Sequence, residues 1–222
     1  MTDTTDAMQR FQTALEQATT ETQAFDALCA LTIAIAVGDD PAAAARQLET
    51  LTSAPGRVQP AGRHPNGASV YVDYAHTPDA LKNVLVTINA LRTGNENVIT
   101  VVGCGGDRDK SKRPVMGHIA SEMSNQAIFT SDNPRTESPA VIIEEMEAGV
   151  EPQNAKKVLS IENRKQAIKT ACKLALANDI ILVAGKGHES VQVIGTEVRP
   201  FDDLRVTQEV LSGLIRKLRK SS

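Results

Sequence analysis

The sequence predicts an α/β protein, with a mostly parallel sheet covered by helices on both faces and a short helical segment in front of it. Two observations carry this prediction. Short, nearly continuous apolar runs ("SVYVD", "NVITVV", "AIFTS", "KVLS" and "DIILVAG") alternate with stretches of helical length and periodicity at 78–92, 114–125, 138–149 and 163–177. Apolar strands separated by helices have to be covered on both sides, with right-handed crossovers, as in doubly wound folds. The residues of unusual chemistry also fall just after the apolar runs, where such sheets bind ligands.

Taken in order, residues 1–23 are rich in Thr and Gln with few apolar anchors, which predicts a loosely held helix or a frayed arm. From 25 to 37 the apolar residues are dense enough for a buried helix. Asp39-Asp40-Pro41 then ends it and starts a second helix reaching about Leu51. "SAPGRVQPAGRHPNG" follows, and its prolines and glycines predict a linker, with a boundary near 53–67. After the β-α alternation, "VQVIGTEVRPF" reads as a hairpin around Gly195, and 203–219 as a basic-ended closing helix. No internal repeat is visible.

With 222 residues, 41% hydrophobic and 23% charged, the chain can bury one ordinary core with a small attached subdomain. A net charge of -3 provides no broad basic surface, so a small molecule is expected as partner rather than nucleic acid. Cys29, Cys104 and Cys172 are far apart and form neither a metal spacing nor a disulfide framework, which suits a reducing cytosol. The apolar run 30–37 is too short to span a bilayer, and the polar, acidic start is unlike a secretion signal, so a cytoplasmic protein without membrane association is expected.

Four loops are predicted to share one rim: "DYAHTPDAL" after the first strand, "GCGGDRDKSKRP" after the second, "SDNPRTESP" after the third and "GKGHES" after the fifth. In "SDNPRTESP", Asn133-Pro134 sets a turn and Ser138-Pro139 starts a helix, while Asp132, Asn133 and Arg135 together form a clamp for a ligand bearing both charges. Gly103, Gly105 and Gly106, with Lys110, Lys112 and Arg113, could cradle an anion; the same residues also read as a tight turn followed by a solvated basic patch. Position 108 is Arg where a dinucleotide fingerprint has Gly, and no G-x-x-x-x-G-K-[ST] occurs. His64, His76, His118 and His188 lack metal spacing; His76 and His188 are expected on the rim, where they could contact a base or substrate. Cys104 is either a nucleophile or a small residue filling a tight space.

"VYVDYAHTPDAL", "GCGGDRDKSKRPVMG", "SDNPRTESP" and "LVAGKGHE", in this order, resemble the carboxy-terminal part of the Mur ligase family, in the branch that adds meso-diaminopimelate to the peptidoglycan precursor. The resemblance runs from about Phe25 to Leu211. It implies helices resembling the end of the central ATPase domain at 24–55 and a Rossmann-like third domain at 56–222, and it leaves the polar arm at 1–23 outside the likeness. Carried over by motif, Arg108, Asp132, Asn133, Arg135, Gly185 and Glu189 would hold meso-diaminopimelate, and Arg57, Asp73, Tyr74 and His76 would lie near the adenosine of ATP. Diaminopimelate differs from lysine by a far-end carboxylate that Arg135 can bind through two parallel N–H donors, whereas lysine would leave the guanidinium unpaired. Sites of this kind reject such analogues by as much as ~10⁴-fold.

No Walker-type loop, no counterpart of the family's modified lysine and no UDP-binding domain is found in these 222 residues. The resemblance therefore implies that ATP and Mg²⁺ belong to a complete ligase, with no metal held by this chain. The UDP-linked muramoyl dipeptide and ATP would be met through upstream domains, the chain being either a truncated gene product or a split subunit with a partner chain that carries the ATPase domain. It leaves two functions open: the amino-acid-binding end of a ligase, catalytically silent alone, or a stand-alone diaminopimelate-binding module. A nicotinamide-dependent dehydrogenase is disfavoured by the missing G-x-G-x-x-G.

Overall fold

The computed structural model describes residues 21–48 and 54–221. These fall into two compact units that part between Ala54 and Pro55. The first holds α1 (Glu21–Ala36) and α2 (Pro41–Leu48). Asp40 starts α2, its carboxylate accepting from the Ala43 N–H at 2.7 Å. Residues 1–20 of the predicted arm, and the predicted end of the second helix at Leu51, lie outside the described residues. The prediction that α1 is buried does not hold, because Leu28, Ile33, Ile35 and Val37 are exposed. Within this unit only the eight-residue α2 is described beside it, too short a partner to cover an apolar surface all round.

The second unit begins with β1 (Gln59–Arg63), β2 (Ser69–Asp73), α3 (Pro78–Ala90), β3 (Val98–Val102), α4 (Lys112–Met123) and β4 (Gln126–Phe129). It continues with α5 (Pro139–Glu147), a 3-10 turn (Pro152–Lys157), β5 (Val158–Ser160), α6 (Arg164–Leu174) and β6 (Ile180–Ala184). It closes with β7 (Val191–Ile194), β8 (Glu197–Pro200) and α7 (Asp203–Ser221). One sheet has the order β1-β2-β6-β3-β4-β5. All neighbours in it are parallel except β1, which pairs antiparallel with β2. The expected α/β class is therefore observed, and each predicted helix and strand of this unit lies within a few residues of its expected bounds.

Alternation along the strands divides the core in two. Val98, Val102, Ala127, Phe129, Leu182 and Ala184 face α3, α4 and α5 through Leu81, Leu85, Met116, Ala120, Ile142 and Met146. The opposite side chains, Ile99, Val101, Ile128, Ile181 and Val183, pack on Ala167, Ile168 and Cys172 of α6 and Val206 and Leu211 of α7. Caps fix where the helices start. The Thr77 hydroxyl accepts from the Ala80 N–H, Pro78 supplies the first residue of α3, and the Asn163 side chain accepts from the Gln166 N–H at 3.0 Å.

The stretch predicted as a linker contains β1. Its sequence "QPAGR" hides the strand, since Pro and Gly are tolerated only at a sheet edge or bulge, and the pairing register does shift between Pro60 and Gly62. The second difference concerns β6. It is the last strand of the sheet in sequence but lies at its centre, between β2 and β3.

Candidate functional site

Because β2, β3, β4 and β6 are parallel neighbours, the loops that follow them emerge on one edge. The β6 loop, from Gly185 to Glu189, is central and touches the other three. The Gly185 N–H donates to the Asp73 carbonyl at 3.0 Å. A Cβ on Gly187 (φ +52) would strike Tyr74. Lys186 reaches the loop after β4.

Lys186 is wholly buried. Its ammonium lies 3.1 Å from Asn133 Oδ1, 3.1 Å from Glu189 Oε2 and 3.4 Å from Asp132 Oδ1. Asn133 completes the arrangement: its Nδ2 donates to Glu189 Oε2 at 2.9 Å, and its Oδ1 also accepts the Val193 N–H at 3.0 Å. Burial pushes the Glu189 carboxyl upward, but the Lys186 ammonium, the Asn133 amide and the Arg135 charge outweigh it and hold the group below the usual carboxylate range. Asp132 is buried and faces inward, whereas a third of the Glu189 side chain is open. Of these two carboxylates, Glu189 is the accessible one.

Arg135 supplies the opposite charge. Its backbone is in the left-handed region (φ +51), which costs a non-glycine residue about 1–3 kcal/mol and needs support from its surroundings. The β7–β8 hairpin provides that support: the Arg135 N–H donates to the Val193 carbonyl at 3.0 Å, and the Gly195 N–H to the Arg135 carbonyl at 2.6 Å. Gln192 Nε2 binds the Asp132 carbonyl at 2.8 Å. The guanidinium is half-buried, with Nη1 on the Gly106 carbonyl at 2.8 Å. Arg108 is exposed, and both its side chain and the Arg135 guanidinium border Gly105.

Of the basic residues after the glycine-rich turn, Lys110 is exposed as the solvated-patch reading expects, but Lys112 and Arg113 are drawn into the fold. Arg113 is fully buried between Glu137 and Glu145. Lys110 pairs with Glu137 at 3.1 Å, and Lys112 Nζ binds the His76 carbonyl at 2.7 Å. The glycines serve close approach, since a Cβ on Gly106 would run into the Pro134 carbonyl.

On the β2 side of the rim, Tyr74 stands between His76 and His188, with ring centroids 4.5 Å and 5.0 Å apart, and the Arg57 guanidinium lies 5.4 Å from the Tyr74 centroid. Asp73 faces inward and accepts the Val58 N–H at 2.8 Å. Burial raises its carboxyl, against the opposing pull of the Val58 and Ala75 N–H groups and Arg57. His64 and His118 are elsewhere, His118 exposed on α4. Among the described residues no group of three or more His, Cys, Asp or Glu side chains is placed to hold a metal ion.

The model of the family "Mur ligase, glutamate ligase domain" matches residues 56–187, more than half of the chain, with three of the rim loops whole and the fourth as far as Gly187. The chain belongs to the Mur ligase family. Among curated Mur ligases, the UDP-N-acetylmuramoyl-L-alanyl-D-glutamate--2,6-diaminopimelate ligase of Cytophaga hutchinsonii is 50% identical over 191 residues, covering 86% of this chain and 39% of its own length. That of Bacteroides fragilis is 53% identical over 165 residues, covering 74% and 34%. A solved structure of a ligase of the same name superposes with a TM-score of 0.66 at 40% identity, over 84% of this chain and 37% of that one. The UDP-N-acetylmuramate-alanine ligase of Thermotoga maritima, at 16% identity and TM-score 0.58, shares the fold. The chain thus spans about a third to two-fifths of the length of these curated Mur ligases.

Within the Mur ligase fold, the structure gathers Asp132, Asn133, Arg135, Gly185 and Glu189 on one side of the rim with Arg108 at its edge, and Arg57, Asp73, Tyr74 and His76 on the other. Sequence reasoning missed Lys186 and Gln192. A lysine between two glycines directly after an all-apolar strand was a usable signal, because its backbone is committed to the buried end of the sheet. Gln192 had none, since it acts through a hairpin whose docking site is set by tertiary contacts.

Proposed function

We propose that this chain is the amino-acid-binding part of an ATP-dependent ligase of peptidoglycan precursor synthesis, and that it holds meso-diaminopimelate. The observation that carries this reading is the placing of opposite charges a short span apart on one rim. Glu189, ionised and partly open, stands near the half-buried guanidinium of Arg135, with Arg108 beyond. One ammonium, that of Lys186, among two carboxylates leaves the cluster short of positive charge, which the amine of a ligand supplies. Arg135, fixed by the hairpin, meets the far-end carboxylate. The names of the curated relatives point to the same amino acid.

In this reading the free amine of bound diaminopimelate attacks an acyl phosphate on the D-glutamate side chain of the precursor. A C–N bond forms, phosphate leaves and the nitrogen loses a proton. This chain orients the amine; ATP, with its magnesium ion, would supply the activated acyl group when bound to the rest of the ligase. Tyr74, His76 and Arg57 present a π surface and a guanidinium suited to the adenosine part of the nucleotide. Asp73 acts behind them, holding the backbone that carries Arg57.

Calorimetry tests the amino-acid site. Wild type binds diaminopimelate and discriminates against lysine, and Arg135→Ala loses about 10- to 100-fold in diaminopimelate affinity, the worth of a charge-assisted pair, while binding lysine no worse. Equal affinity of the wild type for both amino acids would sink the reading.

A further inference from the structure

Lys186 is buried, charged and outside the set of residues expected to touch either ligand. We propose that Lys186 is the positioning residue of the amino-acid site: its ammonium fixes Asn133 and Glu189 against each other so that the open oxygen of Glu189 faces the ligand's amine. This rests on the proposed diaminopimelate reading.

Three contacts of the ammonium match its three N–H donors: Asn133 Oδ1 at 3.1 Å, Glu189 Oε2 at 3.1 Å and Asp132 Oδ1 at 3.4 Å. Glu189 Oε2 receives both Lys186 and Asn133 Nδ2, so one carboxylate oxygen is committed inward and Oε1 is left for a ligand. Asn133 Oδ1 is shared with the Val193 N–H, which fixes the amide orientation and hence the direction of Nδ2. Among the described residues neither nearby cation hydrogen-bonds the Asn133 amide or the Glu189 carboxylate, although Arg164 Nη1 is buried without a partner. Arg164, the next buried cation, is engaged by both carboxylate oxygens of Asp203 and by the Ala184 carbonyl. Arg135 is engaged by the Gly106 carbonyl. Without Lys186, Glu189 faces Asp132 and Asn133 with only the more distant charges of Arg135 and Arg164 to favour ionisation, and it takes up a proton at higher pH.

The test uses the whole chain with Lys186→Met, and with Lys186→Met/Asp132→Asn should the single variant fail to fold. The Glu189 side-chain carbon is followed by NMR against pH without ligand, alongside calorimetry with diaminopimelate. The expected result is a Glu189 midpoint at least about one pH unit higher than in wild type, changed Asn133 side-chain amide resonances and roughly tenfold weaker binding at neutral pH. The binding deficit grows as pH falls toward the new midpoint. A folded variant with an unchanged Glu189 midpoint and unchanged binding overturns the proposal. If wild type binds no diaminopimelate, the functional reading fails, and the Glu189 midpoint still decides whether Lys186 positions that carboxylate.

Discussion

Cys104 shows how a residue's surroundings decide between two chemistries that its type leaves open. It follows a glycine in a loop that also carries lysine and arginine, as an activated nucleophile would. In the fold its Sγ is buried 3.6 Å from Met116 Sδ, and burial, only partly countered by Lys112, pushes the thiol up to about 12. Cys172 is likewise pushed up to about 12 by burial, while Cys29 is exposed. Since the thiolate is the reactive form, a thiol reagent at pH 8 should modify Cys29 alone in the native chain and all three cysteines after denaturation. Rapid native labelling of Cys104, mapped by mass spectrometry, would revive the nucleophile. The turn chemistry of Asn133-Pro134 and the opposite charges of "DNPR" were legible in the sequence. The left-handed backbone of Arg135 was not, because the hairpin that supports it lies about 60 residues further on in the chain.

At the scale of elements, the loops after β3 and β4 are joined through Glu137. This carboxylate accepts from both Nη atoms of Arg113 at 2.9 Å, from the Asp107 N–H at 2.6 Å and from Lys110. Arg113, chiefly, holds its carboxyl far below the usual range. A depressed carboxyl stabilises the fold above its unfolded pKa, near ~4.3, and that contribution is lost as pH falls through the folded value. Glu137→Gln should therefore melt a few degrees below wild type at pH 7, with the gap closing only below about pH 4. A gap that closes between pH 5 and 6, or none at pH 7, would contradict this. Helix starts were legible because start signals are local: α5 begins at Ser138-Pro139, as the sequence implied, with Pro139 as its first residue although the Ser138 side chain makes no cap bond. Strand β1 was not, since an edge position is what allows Pro and Gly in a strand, and edge position is a property of the sheet.

At the scale of the molecule, this chain belongs to the Mur ligase family yet spans only about a third to two-fifths of the curated relatives it matches. If it is the amino-acid-binding part of a ligase, adding a protein that carries the ATPase and UDP-binding domains should yield ADP release dependent on diaminopimelate and not supported by lysine. No release, with diaminopimelate binding intact, would favour a stand-alone binding module. By itself the sequence determined the α/β class, the order of helices and strands from β2 onward and the motif-bearing loops. These follow from local periodicity, capping and turn residues, which act within a few positions of the chain. Only the tertiary structure decided that β6 inserts between β2 and β3, and with it where Lys186 goes. Strand order is set by which apolar faces and backbone groups satisfy one another across the whole sheet, and no local stretch of sequence records that choice. The insertion turns "GKGHE" from one loop among four into the centre of the rim, and turns "SDNPRTESP" from a turn into one wall of a site whose other wall it supplies.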